Sequence, residues 1–127
     1  MAIIRLMDES DATGKVKALF EEIKATLQVP FVPELFRALG SKPERLEAVW
    51  TQVKGLYGSG CLDVKTKLLA ALAVAAVQRN AYFVKIHAIA LKRFGASDEE
   101  ILELLDLAGF SAALDTLVSG LDLEPEL

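Results

Sequence analysis

The sequence predicts an all-α protein, and three observations carry that expectation. Apolar residues recur at three- and four-residue steps along most of the chain. No alternating segment bounded by turn residues suggests a strand, and helix start and stop signals return about every 15 to 20 residues.

The first helix is expected from about Ala12 to Leu27. There Val16, Leu19, Phe20, Ile23 and Leu27 form one apolar face, and Lys17, Glu21 and Lys24 fall on the other. Pro30 and Pro33 disfavour helix at the residues before them, so the segment from Gln28 to Pro33 breaks it. A short helix over Pro33 to Leu39 should end at Gly40. Ser41-Lys-Pro-Glu44 has the form of a capping box opening a helix to about Tyr57, with Leu46, Val49, Trp50, Val53, Leu56 and Tyr57 as its buried stripe.

Gly58-Ser-Gly60 is a turn, and Asp63 is a suitable N-cap for a very apolar helix reaching about Arg79. Arg79-Asn80 marks a break, and the next helix runs from about Ala81 to Phe94, with Gly95 as its left-handed stop. The last two of these helices would form a central antiparallel pair. Ser97-Asp-Glu-Glu100 is a second capping box, opening a helix to about Ala108. Gly109 predicts a kink before a final helix from Ser111 to about Leu121, and 122–127, acidic and containing Pro125, is expected to fray. The result is a bundle of six to seven helices.

At 127 residues the chain is long enough for one domain, 1–127, with its own core. Hydrophobic residues make up 53%, and Gly and Pro are few, which argues against disorder. A net charge of -4 from 14 basic and 18 acidic residues leaves no basic stripe for a phosphate backbone, so nucleic acid is not an expected partner. The longest wholly apolar run, Leu68 to Val77, spans about 15 Å as a helix, roughly half a bilayer's hydrocarbon core. It is expected to be buried in protein, with no membrane span. Met1 to Ser10 already contains Asp8 and Glu9 and lacks the pattern of a signal peptide, which points to the cytoplasm. One cysteine and one histidine cannot by themselves make a disulfide or a Cys/His zinc site, and no metal or cofactor is expected.

Leu68 to His87, LLAALAVAAVQRNAYFVKIH, is the segment closest to chemistry. Its apolar first half and terminal histidine resemble the core of the alkyl hydroperoxide reductase D (AhpD) and carboxymuconolactone decarboxylase superfamily. Val29 to Leu39, followed by Pro43 and Leu46 to Trp50, is similar to the amino-terminal part of its peroxidase-related members. Leu62 to Lys67, Gly95 to Ile101 and Ala108 to Leu114 resemble further family segments in the same order. The resemblance implies an AhpD-like helical bundle.

In the family's redox members a glutamate is followed by a Cys-x-x-Cys pair and then a histidine. The matching positions here hold Leu68, Asn80, Phe83 and His87. The thiolate that would attack peroxide, the thiol that would resolve the sulfenic acid and the proton-carrying glutamate are absent from those positions. The first expectation is a family member that is not a thiol peroxidase and serves as a homo-oligomeric binding or structural protein. The alternative is a cofactor-free enzyme, decarboxylase-like or hydrolytic, with His87 as acid or base, because the carboxymuconolactone decarboxylases also work without the cysteine pair. A residual peroxidase role ranks behind both. The hydrolytic dehalogenases that share this helical fold are a further comparison, though no distinctive aspartate stands out.

His87 has a plain reading as a neutral core histidine and a functional one as a pocket acid or base. Trp50, Tyr57, Tyr82 and Phe83 are candidate pocket aromatics or simply core. Arg79, Lys85 and Arg37 are candidates to hold the carboxylate of a small-molecule ligand, or are ordinary surface charges. Cys61 lies outside the motif, an inert residue or a thiol sharpened by the helix starting nearby. A helix apolar all round, as Leu68 to Val77 would be, must be covered on every side. That predicts a homo-oligomer, and the resemblance implies a trimer or hexamer, in some cases a dimer.

Overall fold

The computed structural model describes residues 1–126. Among them are six α-helices, a one-turn 3-10 helix at Glu9–Asp11 and no strand. The helices are α1 (Gly14–Leu27), α2 (Glu34–Ala38), α3 (Pro43–Gly58), α4 (Val64–Val77), α5 (Ala81–Arg93) and α6 (Asp98–Gly120). No helix is long and apolar enough to cross a membrane among these residues. The chain divides into two compact units, Met1–Gly60 and the part beginning at Cys61.

In the first unit, the predicted stripe of α1 is buried: Val16, Leu19, Phe20 and Ile23 join Ala12, Val32, Phe36, Leu46 and Trp50 in one cluster. The helix starts two residues later than its periodicity suggests, because Glu9–Asp11 forms a separate turn and Ala12 is extended at its end. It stops where Gln28 turns left-handed at φ 56°, and the Gln28 N–H bonds the Lys24 carbonyl.

The loop that follows is tied down by a carboxylate. Glu9 accepts the Val32 N–H at 3.0 Å and pairs with Lys24 at 3.0 Å. Those contacts, the Val32 bond first, hold the Glu9 carboxyl below its usual range. The Ser41 capping box does not form. Helix α3 begins at Pro43 behind Lys42, without a side-chain cap, because proline at the first position needs no N–H partner and already holds a helical φ. The α3 stripe is narrower than predicted: Leu46 and Trp50 are fully enclosed, whereas Leu56 is exposed.

In the second unit, Asp63 caps α4 as expected, accepting the Thr66 N–H at 2.7 Å. Leu68, Leu72 and Ala75, at i, i+4 and i+7, form its buried stripe. Helix α4 packs on both α5 and α6. The break between α4 and α5 lies at Arg79, left-handed at φ 57°, and the Asn80 N–H closes the end of α4 on the Ala75 carbonyl at 2.8 Å. Helix α5 ends as predicted at a left-handed Gly95, φ 87°, where the Ala96 N–H reaches the Leu91 carbonyl.

The Ser97 capping box is complete, with both reciprocal bonds at 3.1 Å. Glu100 also pairs with Lys65 at 2.6 Å, which joins the start of α6 to α4. The expected kink at Gly109 is absent. Helix α6 runs without interruption through Gly120, because a glycine inside a helix costs only about 1 kcal/mol and good helix formers flank it on both sides. The count is therefore six helices. Of the expected frayed segment, 122–126 carries no helix, and Leu127 lies outside the described residues.

Candidate functional site

The turn between α4 and α5 and the first half of α5 carry Arg79, Asn80, Tyr82, Phe83, Lys85 and His87. Asn80 precedes the first residue of α5. It is the N-cap, and its side-chain oxygen accepts the Phe83 N–H at 3.1 Å. That bond fixes the first turn of α5 and with it the direction of the side chains that follow.

Phe83 and His87, one helical turn apart, lie face to face with ring centroids 5.2 Å apart and planes 16° from parallel. Tyr82 meets the Phe83 ring edge-on at 5.2 Å. His87 is half-buried, and desolvation is the cause that lowers its pKa from the ordinary 6.5. Burial thus disfavours the charged imidazolium in the folded chain. The His87 ring contact is with Phe83, and among the described residues no carboxylate pairs with it as in a triad.

Leu68 is 6% exposed and belongs to the α4 stripe. Arg79, Lys85 and Phe94 are exposed. Cys61 is a free, exposed thiol. No group of His, Cys, Asp and Glu fit to hold a metal occurs among the described residues.

The other candidates lie in the first unit. Trp50 is 1% exposed within its core, edge-on to Phe36 at 5.5 Å, and its indole N–H donates to Glu22 at 3.0 Å. Arg37 donates to the Met7 carbonyl at 2.8 Å while the Met7 N–H bonds the Arg37 carbonyl, so it fastens the amino-terminal segment to α2. Burial holds the Tyr57 hydroxyl above its usual pKa. The Phe83–His87 stack was available in the sequence as an i, i+4 aromatic pair. The capping role of Asn80 was available as an Asx residue at a break.

The carboxymuconolactone decarboxylase family's sequence model matches residues 43–123, more than half of the chain. The chain belongs to the carboxymuconolactone decarboxylase family. The crystal structure of an alkylhydroperoxidase AhpD core from Rhodospirillum rubrum superposes with a TM-score of 0.91 at 32% identity, over 99% of this chain and 95% of that one. An (R)-2-haloacid dehalogenase from Pseudomonas putida is 32% identical over 72 residues, 53% of this chain. The match spans about a quarter, 24%, of that protein's length. The all-α fold and the superfamily read from the Leu68 to His87 segment are those of this carboxymuconolactone decarboxylase family member.

The His87 environment has a consequence for stability. An imidazole whose folded pKa lies below its unfolded value stays neutral in the native state while the unfolded chain takes up a proton. Stability is therefore full above the unfolded value of 6.5 and falls as pH drops through it toward the lower folded value. Urea unfolding between pH 8 and pH 5 is expected to show this loss in the wild type and a flatter profile in His87→Gln. Identical slopes in the two proteins would show that His87 is solvated in the native state.

Proposed function

We propose that this family member is not a thiol peroxidase and acts as a homo-oligomeric binding or structural protein. The reading is supported by the three positions at which the resemblance implies redox groups, since each holds a side chain with a structural role. Leu68 fills the second unit's core, Asn80 caps α5, and Phe83 stacks on His87. The chain's single cysteine is Cys61, outside those positions, so no pair of thiols within the chain can cycle through a disulfide. A cytoplasmic location accompanies this reading. Self-association is supported by α6, which has no buried residue and carries several exposed large apolar side chains.

A second reading, a cofactor-free hydrolytic or decarboxylating enzyme using His87, is favoured by two observations. His87 is a half-buried imidazole whose burial favours the uncharged form that a base needs, and part of the chain resembles a haloacid dehalogenase. Thermal shift with small carboxylates, run beside turnover of 2-haloacids, separates the readings. The first predicts no turnover with wild type or His87→Ala, with or without a ligand-induced shift. Release of halide or carbon dioxide that disappears in a folded His87→Ala would replace it with the second.

A further inference from the structure

The outer edge of α6 carries a pattern that the rest of the fold leaves unexplained. Leu107, Phe110, Leu114, Leu117 and Leu121 follow one another at steps of three and four residues, two heptads of an a/d seam. They are 62%, 65%, 43%, 58% and 59% exposed. This is a second apolar edge. The half-buried apolar residues of α6 are Ile101, Leu104, Leu105, Ala108 and Ala112, of which Leu104, Ala108 and Ala112 border a groove against α4. Helix α6 also outruns its support, since 23 residues reach about 34 Å while the 14 of α4 reach about 21 Å.

We propose that the Leu107–Leu121 edge of α6 is the surface through which copies of this chain associate, with the same edge of a second copy packed against it. The proposal rests on the homo-oligomeric reading above and names its surface. Three features favour a second copy over another occupant. A 3.5-residue repeat packs best against a helix with the same repeat, which the chain itself supplies. At ordinary side-chain areas the five residues expose roughly 600 Å², most of the ~800 Å² per partner that a stable pairing buries. Between Leu107 and Leu121 the sole charged residue is Asp115, so closing the seam strips water from almost no ionised group. Ser111 and Ala113, small residues beside the seam, allow two helices to approach closely. Val74 and Val77 of α4 border an apolar groove of about 430 Å³ that includes Leu107 and continues the same surface.

The test is sedimentation of the full chain at several concentrations, for wild type, Leu114→Glu and Leu117→Glu. Both leucines are exposed in the single chain, so glutamate there meets no buried surroundings, and circular dichroism should show unchanged helix. The expected result is an oligomeric wild type and a shift of at least tenfold toward monomer in each variant. Hydrogen exchange of residues 107–121 in the wild type should slow as concentration rises, a measurement that needs no variant. An oligomer unaltered in both variants, with exchange over 107–121 independent of concentration, overturns the α6 seam while leaving self-association intact. A wild type that is monomeric throughout overturns both.

Discussion

Trp50→Ala is expected to cost the Met1–Gly60 unit about 3–5 kcal/mol, the range for emptying an enclosed aromatic site. The indole stands edge-on to Phe36 and holds the Glu22 carboxylate through its N–H. Glu22 in turn pairs with Lys54 at 2.9 Å, and the Lys54 ammonium sits 5.9 Å above the Trp50 ring. The lysine bond first, and the indole bond second, keep the Glu22 carboxyl below its usual pKa. Alanine therefore opens a cavity and also releases the carboxylate from one of its two donors. Trp50→Phe keeps most of the volume and loses the N–H bond, so about 1–2 kcal/mol is expected. Trp50 is the only tryptophan, so the loss should be followed by circular dichroism instead of fluorescence. A loss below about 1 kcal/mol for alanine would show that the ring is not part of this core.

Leu68→Glu should have an effect of similar size, with a pH dependence of its own. It places a carboxylate at the position where the resemblance to redox relatives implies a glutamate. The site is 6% exposed, so the substitution removes a packed apolar side chain and buries an ionisable one. At pH 7 the expected loss is about 3–5 kcal/mol. Burial raises the folded pKa of such a group above its unfolded value, so the native state takes up the proton first as pH falls. The charge-related part of the loss is then full above the folded pKa and is recovered as pH falls through it toward the unfolded value near 4.3. Unfolding of Leu68→Glu and Leu68→Gln across pH 5 to 8 checks the sign. A glutamate variant no more pH-dependent than the glutamine one would mean that the position is open to water. The leucine thus fits a chain that keeps the scaffold's packing in place of a buried acid.

Much of this fold was legible because its signals are local. The Asp63 cap, the Ser97–Glu100 box, the left-handed Gly95 and the Arg79-Asn80 break each involve groups within a few residues of one another. Failures came where two local rules compete. At Ser41 the capping-box pattern lost to proline's preference for the first helical position. At Gly109 the modest cost of a helical glycine was outweighed by the helix on either side. Leu56 shows a different limit, since periodicity assigns it a face but not whether that face is covered.

Around His87, the sequence indicated which residue types were present but not their work. Asn80 stands at a motif position and at a helix break, and the bond from the Phe83 N–H identifies its work as a cap. The roles of Trp50 and Arg37 depend on partners 28 and 30 residues away, at Glu22 and Met7. Sequence periodicity carries no information about such pairings.

The proposed function requires that the chain lack thiol peroxidase activity. It is tested most directly by steady-state consumption of hydrogen peroxide and an organic hydroperoxide by the purified chain, with a dithiol as reductant. The expected rate is that of the dithiol alone, unchanged by Cys61→Ser. Saturable, catalytic peroxide consumption by the wild type would contradict it.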